Sequence, residues 1–371
     1  MVDLGHDCLL IAPAYPTEGP KELNNYRIPS RRVPLDPEDR AMRWRELKAV
    51  AERVIEKGVD LVHIQTPFFA HYAGVDLARR HGLPCIATYH TLFEEYLFHY
   101  VPFAPKERMR ALARWFSRRQ CNALDAVVVP SSAMRNTLRA YGVERDIRII
   151  PTGIPLANFS DGDGGRFRQT HGFAADVPLL LFVGRVAYEK NIDFLLRMHA
   201  EVLRRRPDAV LLICGEGPAL SSLKRKAADL GIATSVRFLG YLDRETELPD
   251  CYRAADLFVF ASRTETQGLV LLEAMAMGTP VVSTAVMGTI DIVGPEQGAI
   301  AVAEEETAFA DAIESLLKDR IRHAQLAADA RNFAQSWSDA STAKRMVEMY
   351  EELLDRPCFN AACWPTAKHA R

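Results

Sequence analysis

Apolar residues along this chain fall into two alternating rhythms. Short unbroken runs, rich in Val, Ile, Leu or Phe and ending at Gly, Pro, Ser or Thr, appear as CLLIAP, DLVHIQ, PCIATYH, AVVVPS and IRIIPTG in the first half. In the second half they appear as PLLLFVGR, AVLLICGEG, SVRFLG, LFVFAS and PVVST. Between them lie amphipathic stretches such as Trp44–Lys57 and Asn191–Arg206, with the apolar spacing of a helix that covers a core. Strands that are apolar at every position, separated by helices, predict parallel sheets covered on both faces, so the fold class is α/β. The segment Asn158–Asp176 (NFSDGDGGRFRQTHGFAAD) is rich in Gly and Asp and poor in aliphatics, and reads as a linker splitting the strands five and five. The predicted layout is a first domain over 1–157, a linker over 158–176, a second domain over 177–335, a helix within 336–356 (Asp339–Leu354) and a tail over 357–371 without periodicity. Ligands of doubly wound sheets bind outside the carboxyl ends of the strands, which is where chemistry is to be sought.

Composition narrows the class. At 371 residues the chain exceeds what one core usually spans, which agrees with two domains. A net charge of −2, with 48% hydrophobic and 25% charged residues, gives no global attraction to nucleic acid or an anionic surface. The seven cysteines are scattered, without metal-site spacing, and several lie in strand-like runs where a thiol acts as a small hydrophobe. Scattered free thiols, no apolar stretch of membrane-spanning length and no leader pattern point to a cytoplasmic protein.

Three strand ends of the second half carry suitable chemistry for a sugar diphosphate ester. In VGRVAYEKN, Arg185 follows the strand-ending Gly184, with Lys190 five residues on, so two cations are available to a diphosphate leaving group. In GEGP, Gly215 and Gly217 allow the backbone to approach a ligand closely, and equally allow a plain tight turn. The segment SRTETQGLVLLEAMAMGTPVV is the most informative. Gly268 is expected where a loop becomes a helix, so the amides of Gly268 and Leu269 face a phosphate with the helix dipole behind them. Glu273, a turn into that helix, suits two adjacent ribose hydroxyls, and Glu265 in the loop suits hydroxyls of a transferred sugar, because charged acceptors make the stronger hydrogen bonds.

Together GRVAYEKN, GEGP, VRFLGYL and ETQGLVLLEAMAMGTPVV resemble the donor domain of the retaining family 4 glycosyltransferases, over nearly all of residues 177–295. Glu265 and Glu273 meet the family's Glu-x7-Glu signature. The resemblance implies the GT-B fold, two Rossmann-like domains facing across a cleft. It implies that Arg185 and Lys190 hold the diphosphate, Glu273 the ribose, backbone near Tyr241 the base, and Glu265 the donor sugar. It further implies a UDP- or GDP-sugar as donor substrate, no metal and no separate cofactor. The implied mechanism is front-face substitution with retention, in which a donor phosphate oxygen takes the acceptor proton.

In the first half, His90 ends the strand in IATYHTLFEEYLFHYVPF, a segment similar to the matching loop of family members that glycosylate diacylglycerol and of soluble mannosyltransferases. His90 is therefore a candidate catalytic residue beside Glu265, and the acceptor a lipid, a lipid-linked molecule or another hydroxyl compound. HIQTPFFAHYAG and PTGIP resemble family segments too. On a helix over Lys106–Cys121, Met109, Leu112, Ala113 and Phe116 are expected on one face and Arg108, Arg110, Arg114, Arg118 and Arg119 on the other, with Trp115 among the arginines. That arrangement suits peripheral contact with the cytoplasmic face of a membrane, and equally a solvated surface helix. Family members open with a strand, a Gly-containing loop and a helix ahead of a Gly-His segment. Here Gly5-His6 stands near the start, so the first domain is expected to lack that βα unit. Two further readings follow: a catalytically impaired nucleotide-sugar or glycolipid-binding protein, and a sugar-nucleotide epimerase on the same fold.

Overall fold

The computed structural model describes residues 1–15, 24–33, 36–90, 92 and 106–355. The chain separates into two units. The first comprises Met1–Pro130, Arg135–Ile150 and Ala343–Arg371, and the second Ser131–Met134 and Pro151–Thr342.

In the second unit the apolar runs form β9 (Leu179–Val183), β10 (Val210–Cys214), β11 (Val236–Gly240), β12 (Leu257–Phe260), β13 (Val281–Ser283) and β14 (Ala299–Ala301). They make one sheet in the order β11-β10-β9-β12-β13-β14, parallel throughout. Five strands were expected here. The sixth, β14, is an Ala-Ile-Ala triplet whose alanines lack the β-branched signal of a strand. Every position of β9 and β12 is buried. Helices on both faces, among them Ile192–Leu203, Leu269–Ala276 and Glu306–Lys318, close the core through Phe194, Leu195, Leu272, Phe309 and Leu316.

The segment read as a linker is part of this unit. Asp163 accepts a hydrogen bond from the Arg166 amide (2.9 Å) and caps a helix over Gly164–His171. That helix buries Phe167 in the core and packs on helix Glu247–Ala254. Arg168 fixes it by donating to the carbonyls of Val177 (2.7 Å) and Ala254 (2.8 Å) and to the Asp256 carboxylate (2.9 Å). A Gly/Asp-rich composition serves a short capped helix as well as a loop, and one buried aromatic is too small a signal to separate the two.

The first unit has a parallel four-stranded sheet, β5 (Val62–Ile64), β6 (Cys85–Thr88), β7 (Ala126–Val129) and β8 (Asp146–Ile149), in chain order. The CLLIAP run forms β1 (Leu10–Pro13), which pairs not with this sheet but in parallel with β2 (Asn25–Ile28). The polar strands β3 (Ser30–Val33) and β4 (Asp36–Met42) form an antiparallel pair that no apolar run announced. The helix Asp339–Leu354 is not an appendage of the second half: from Ala343 on it belongs to the first unit, where Met349 and Leu353 pack with Ile86, Ala126, Val128 and Ile150. Helix Lys106–Cys121 forms as expected, but its buried face runs through Ala113, Ser117 and Gln120, leaving Leu112 exposed beside Trp115. No described helix is long and apolar enough to cross a membrane. The tail over 357–371, and residues 93–103 of the segment after His90, lie outside the described residues.

Candidate functional site

The carboxyl ends of β9, β10, β11 and β12 lie side by side along one edge of the six-stranded sheet, and the residues singled out in the second half sit in the loops that leave them. Two of these loops touch backbone to backbone. A Cβ on Gly215 would stand 2.0 Å from the Gly184 carbonyl oxygen, and Gly215 has φ +129°, so only glycine allows the approach. The contact is secured by Gly184 N–H donating to the Cys214 carbonyl (3.0 Å) and Val186 N–H to the Glu216 carbonyl (2.8 Å). Arg185 is exposed between them. Lys190 closes a short turn over Tyr188–Lys190, ahead of helix Ile192–Leu203.

Lys190 and Glu265 meet. Their side chains form an ion pair, each about one-fifth exposed, joining the loop after β9 to the loop after β12. The second loop then reaches Gly268, which precedes helix Leu269–Ala276 with φ +95°, a left-handed conformation favoured by glycine. The Leu271 amide bonds the Gly268 carbonyl (3.0 Å), and the amides of Leu269 and Val270 stand at the positive end of the helix dipole.

Glu273 follows in the same helix and is only 4% exposed. A buried carboxylate needs donors. It has two: the Tyr252 hydroxyl donates to Oε2 (2.8 Å) and Arg244 Nη2 donates to Oε1 (2.7 Å). Tyr252 is fully buried, and burial first, with the Glu273 charge second, holds its phenol far above the usual range, so it stays a donor. Tyr241 is exposed in the same loop as Arg244. Gln267, also buried, makes a two-point contact with Thr152 of the PTGIP segment, accepting from its amide (2.9 Å) and donating to its carbonyl (2.7 Å).

Thus Gly184, Arg185, Lys190, Tyr241, Glu265, Gly268, Leu269 and Glu273 share one sheet edge, and Lys190 with Glu265 are in direct contact. Arg244, Tyr252 and Gln267 were missed. An arginine within DRET is indistinguishable by sequence from a solvated charge, a tyrosine within an amphipathic helix reads as core, and a lone loop glutamine has no spacing signal.

His90 lies in the first unit, after β6. It is exposed, its Nε2 is 3.4 Å from Gln65 Oε1, and desolvation lowers its pKa, favouring the neutral ring. Beside it is a cavity of about 40 Å³ lined by His71, Thr88 and Gln120, where Gln120 Nε2 is buried without a hydrogen-bond partner among the described residues. A larger hollow of about 570 Å³ lies at the amino ends of β12 and β13, lined by Arg168, Asp256, Gly278 and His323. It is on the opposite sheet edge from the glutamates, and its Arg168 and His323 are engaged with backbone carbonyls. Among the described residues no three His, Cys, Asp or Glu side chains cluster as a metal site requires.

The glycosyl transferases group 1 family matches residues 164–333, and Glycosyltransferase Family 4 matches residues 1–158. An alpha-monoglucosyldiacylglycerol synthase of Streptococcus pneumoniae is 36% identical over 276 residues, 71% of this chain and 61% of that protein. A D-inositol 3-phosphate glycosyltransferase of Frankia alni is 33% identical over 292 residues, 75% of this chain and 70% of that protein. The chain thus spans about three-fifths of the length of the streptococcal relative. In fold it is similar to Anabaena HepE solved with UDP and glucose, with a TM-score of 0.70 and 20% identity over 83% of this chain and 82% of that one. With both halves matched and a relative 33% identical covered over 70% of its length, the chain belongs to glycosyltransferase family 4 and has the two-domain α/β fold known as GT-B.

Proposed function

We propose that this chain transfers a hexose from a UDP- or GDP-sugar to an acceptor hydroxyl, with retained configuration and without a metal. The single observation that supports the reading best is the row of strand ends where the Lys190–Glu265 ion pair, the amide end of helix Leu269–Ala276 and the buried Glu273 stand together. The diphosphate takes Arg185, Lys190 and the amides of Gly268 and Leu269. This stabilises the negative charge that develops on the leaving group. Glu273 takes the ribose hydroxyls, Glu265 the sugar, and backbone near Tyr241 the base. Lys190 already neutralises Glu265, so a phosphate that arrives shares the cation and leaves Glu265 Oε2 for a sugar hydroxyl. His90, neutral by desolvation, is a hydrogen-bond partner for the reacting sugar or the acceptor. A donor phosphate oxygen takes the acceptor proton, so no enzyme carboxylate acts as nucleophile.

The acceptor we propose is a lipid, in keeping with the name of the streptococcal relative. Helix Lys106–Cys121, with Leu112 and Trp115 exposed among Arg108, Arg118 and Arg119, supports peripheral contact with an anionic membrane face.

The test is transfer of radiolabel from UDP-glucose or GDP-mannose into a lipid extract on anionic vesicles, with and without EDTA. The expected product carries the donor's anomeric configuration by NMR, and Glu273→Ala and Lys190→Ala each lower turnover by about 10²–10³-fold with the fold intact. Wild-type turnover in both variants contradicts the assigned site. Donor binding without any product favours the binding-protein reading, and a failure to co-sediment with the vesicles removes the membrane contact.

A further inference from the structure

The Glu273 carboxylate is held from two sides by unlike partners. Tyr252 is wholly buried, whereas Arg244, which also bonds it, has a side chain about two-thirds exposed. The pair therefore differs from Lys190 and Glu265, where both partners are largely covered. The loop bearing Arg244 is held fast. Asp243 Oδ1 accepts from the amides of Glu245 (3.1 Å) and Thr246 (2.9 Å) and from the Thr246 hydroxyl (2.8 Å), while the Asp243 amide donates to Glu247 (3.0 Å). These bonds lower the Asp243 pKa, so the turn keeps its charged acceptor at neutral pH. A guanidinium on a fixed turn above a buried carboxylate sets which way the carboxylate faces.

A carboxylate offers about four lone-pair positions, of which Tyr252 and Arg244 fill one on each oxygen. One remains on each oxygen, which is what two adjacent hydroxyls of a ribose require. We propose, resting on the donor-site reading above, that Arg244 is a positioning residue for nucleotide recognition: it orients Glu273 to accept both hydroxyls of a ribose, and so selects ribonucleoside over 2′-deoxyribonucleoside diphosphates. Removing it leaves Glu273 buried on Tyr252 alone, free to turn one oxygen away from the diol.

Titration calorimetry with UDP, GDP and their 2′-deoxy counterparts tests this on the full chain and on the variants Arg244→Ala, Arg244→Lys, Glu273→Gln and the Arg244→Ala/Glu273→Gln pair. Arg244→Ala is expected to weaken the better-bound ribonucleotide about tenfold, about 1.4 kcal/mol. The 2′-deoxy form is expected to change less than about twofold, and Arg244→Lys to recover part of the loss. In transfer assays the donor KM rises while kcat holds. Within Glu273→Gln the further change to Ala is expected to have almost no effect, because the two residues act as one unit. Equal losses for ribo and 2′-deoxy nucleotides, or additive losses in the double variant, overturn the proposal and leave Arg244 a simple attractor of phosphate. If Glu273→Gln weakens binding and Arg244→Ala does not, Arg244 has no part in recognition although the donor site stands. If the unaltered chain binds neither UDP nor GDP, or Glu273→Gln loses nothing, the donor site itself falls. Unchanged melting temperatures of the single variants separate these effects from unfolding.

Discussion

In the second unit the two central strands, β9 and β12, are buried at every position; the Lys190–Glu265 ion pair ties the loops they emit, and backbone hydrogen bonds tie the β9 loop to the β10 loop. In the first unit only β7 is buried throughout, two small pairs of strands stand apart from the main sheet, and His90 meets Gln65 at 3.4 Å. The diphosphate ester proposed above is small and rich in charge, and a site for such a ligand gains from groups fixed before it arrives. The first unit instead exposes rings at Phe68, Phe69, Tyr72 and Trp115. Within this chain, fully buried strands and linked loops lie together in one unit, and exposed rings in the other.

The contrast can be broken most sharply at Gly215. A valine there would press its Cβ into the Gly184 carbonyl at a φ that disfavours β-branched residues. The expected loss is about 4 kcal/mol of second-unit stability together with nucleotide binding. Hydrogen exchange resolved by mass spectrometry should find faster exchange in β9 and β10 and little change in β5–β8. Uniform loosening of both units would refute the separation.

A smaller effect, in the opposite unit, is expected from Leu353→Ala, about 3 kcal/mol, because the side chain is 1% exposed against Ile86 and Val128. Faster exchange in β6 and β7, with UDP affinity preserved, is the expected readout. Loss of UDP binding would mean the two cores are not independent.

The gentlest separation is by acid. His63 and His71 in the first unit and His199 in the second are each pushed down to about 4, all chiefly by burial. The unfolded chain takes up these protons near pH 6.5 and the folded chain only near 4. Their stabilisation is thus whole above pH 6.5 and is lost as pH falls toward 4. At about 2 kcal/mol for each histidine, discounted for local relaxation, the first unit should loosen first. His63 bonds Thr88 (2.7 Å) and Tyr350 (2.5 Å), so helix Asp339–Leu354 is expected to detach early. His63→Gln should flatten the pH slope, and an unchanged slope would count against the assignment.

What could be read from residue order, and what could not, divides along physical lines. Unbroken apolar runs announced ten strands because parallel strands buried on both faces permit little else. The Gly268 turn and the spacing of Glu265 and Glu273 were legible because a helix start, a left-handed turn and two acids constrain one another locally. Arg244 and Tyr252 were not, since what marks them is their meeting with Glu273, respectively 29 and 21 residues on. The Gly/Asp-rich segment misled for the converse reason: its helix is held by Arg168 and Phe167, whose partners lie far along the chain. Leu112 went astray because Ala113, Ser117 and Gln120, small or polar, are the buried positions in its place.

The return of the last helix to the first unit has a consequence for how such chains diversify. The first unit is discontinuous, so exchanging genetic halves at residue 335 would not exchange whole folding bodies. The donor half of a foreign relative would arrive with a closing helix shaped for another sheet, and Ile86, Ala126 and Ile150 would face the wrong side chains. A workable chimera must therefore splice twice, once near Ile150 and again near Ala343, keeping the native closing helix with the sheet it seals.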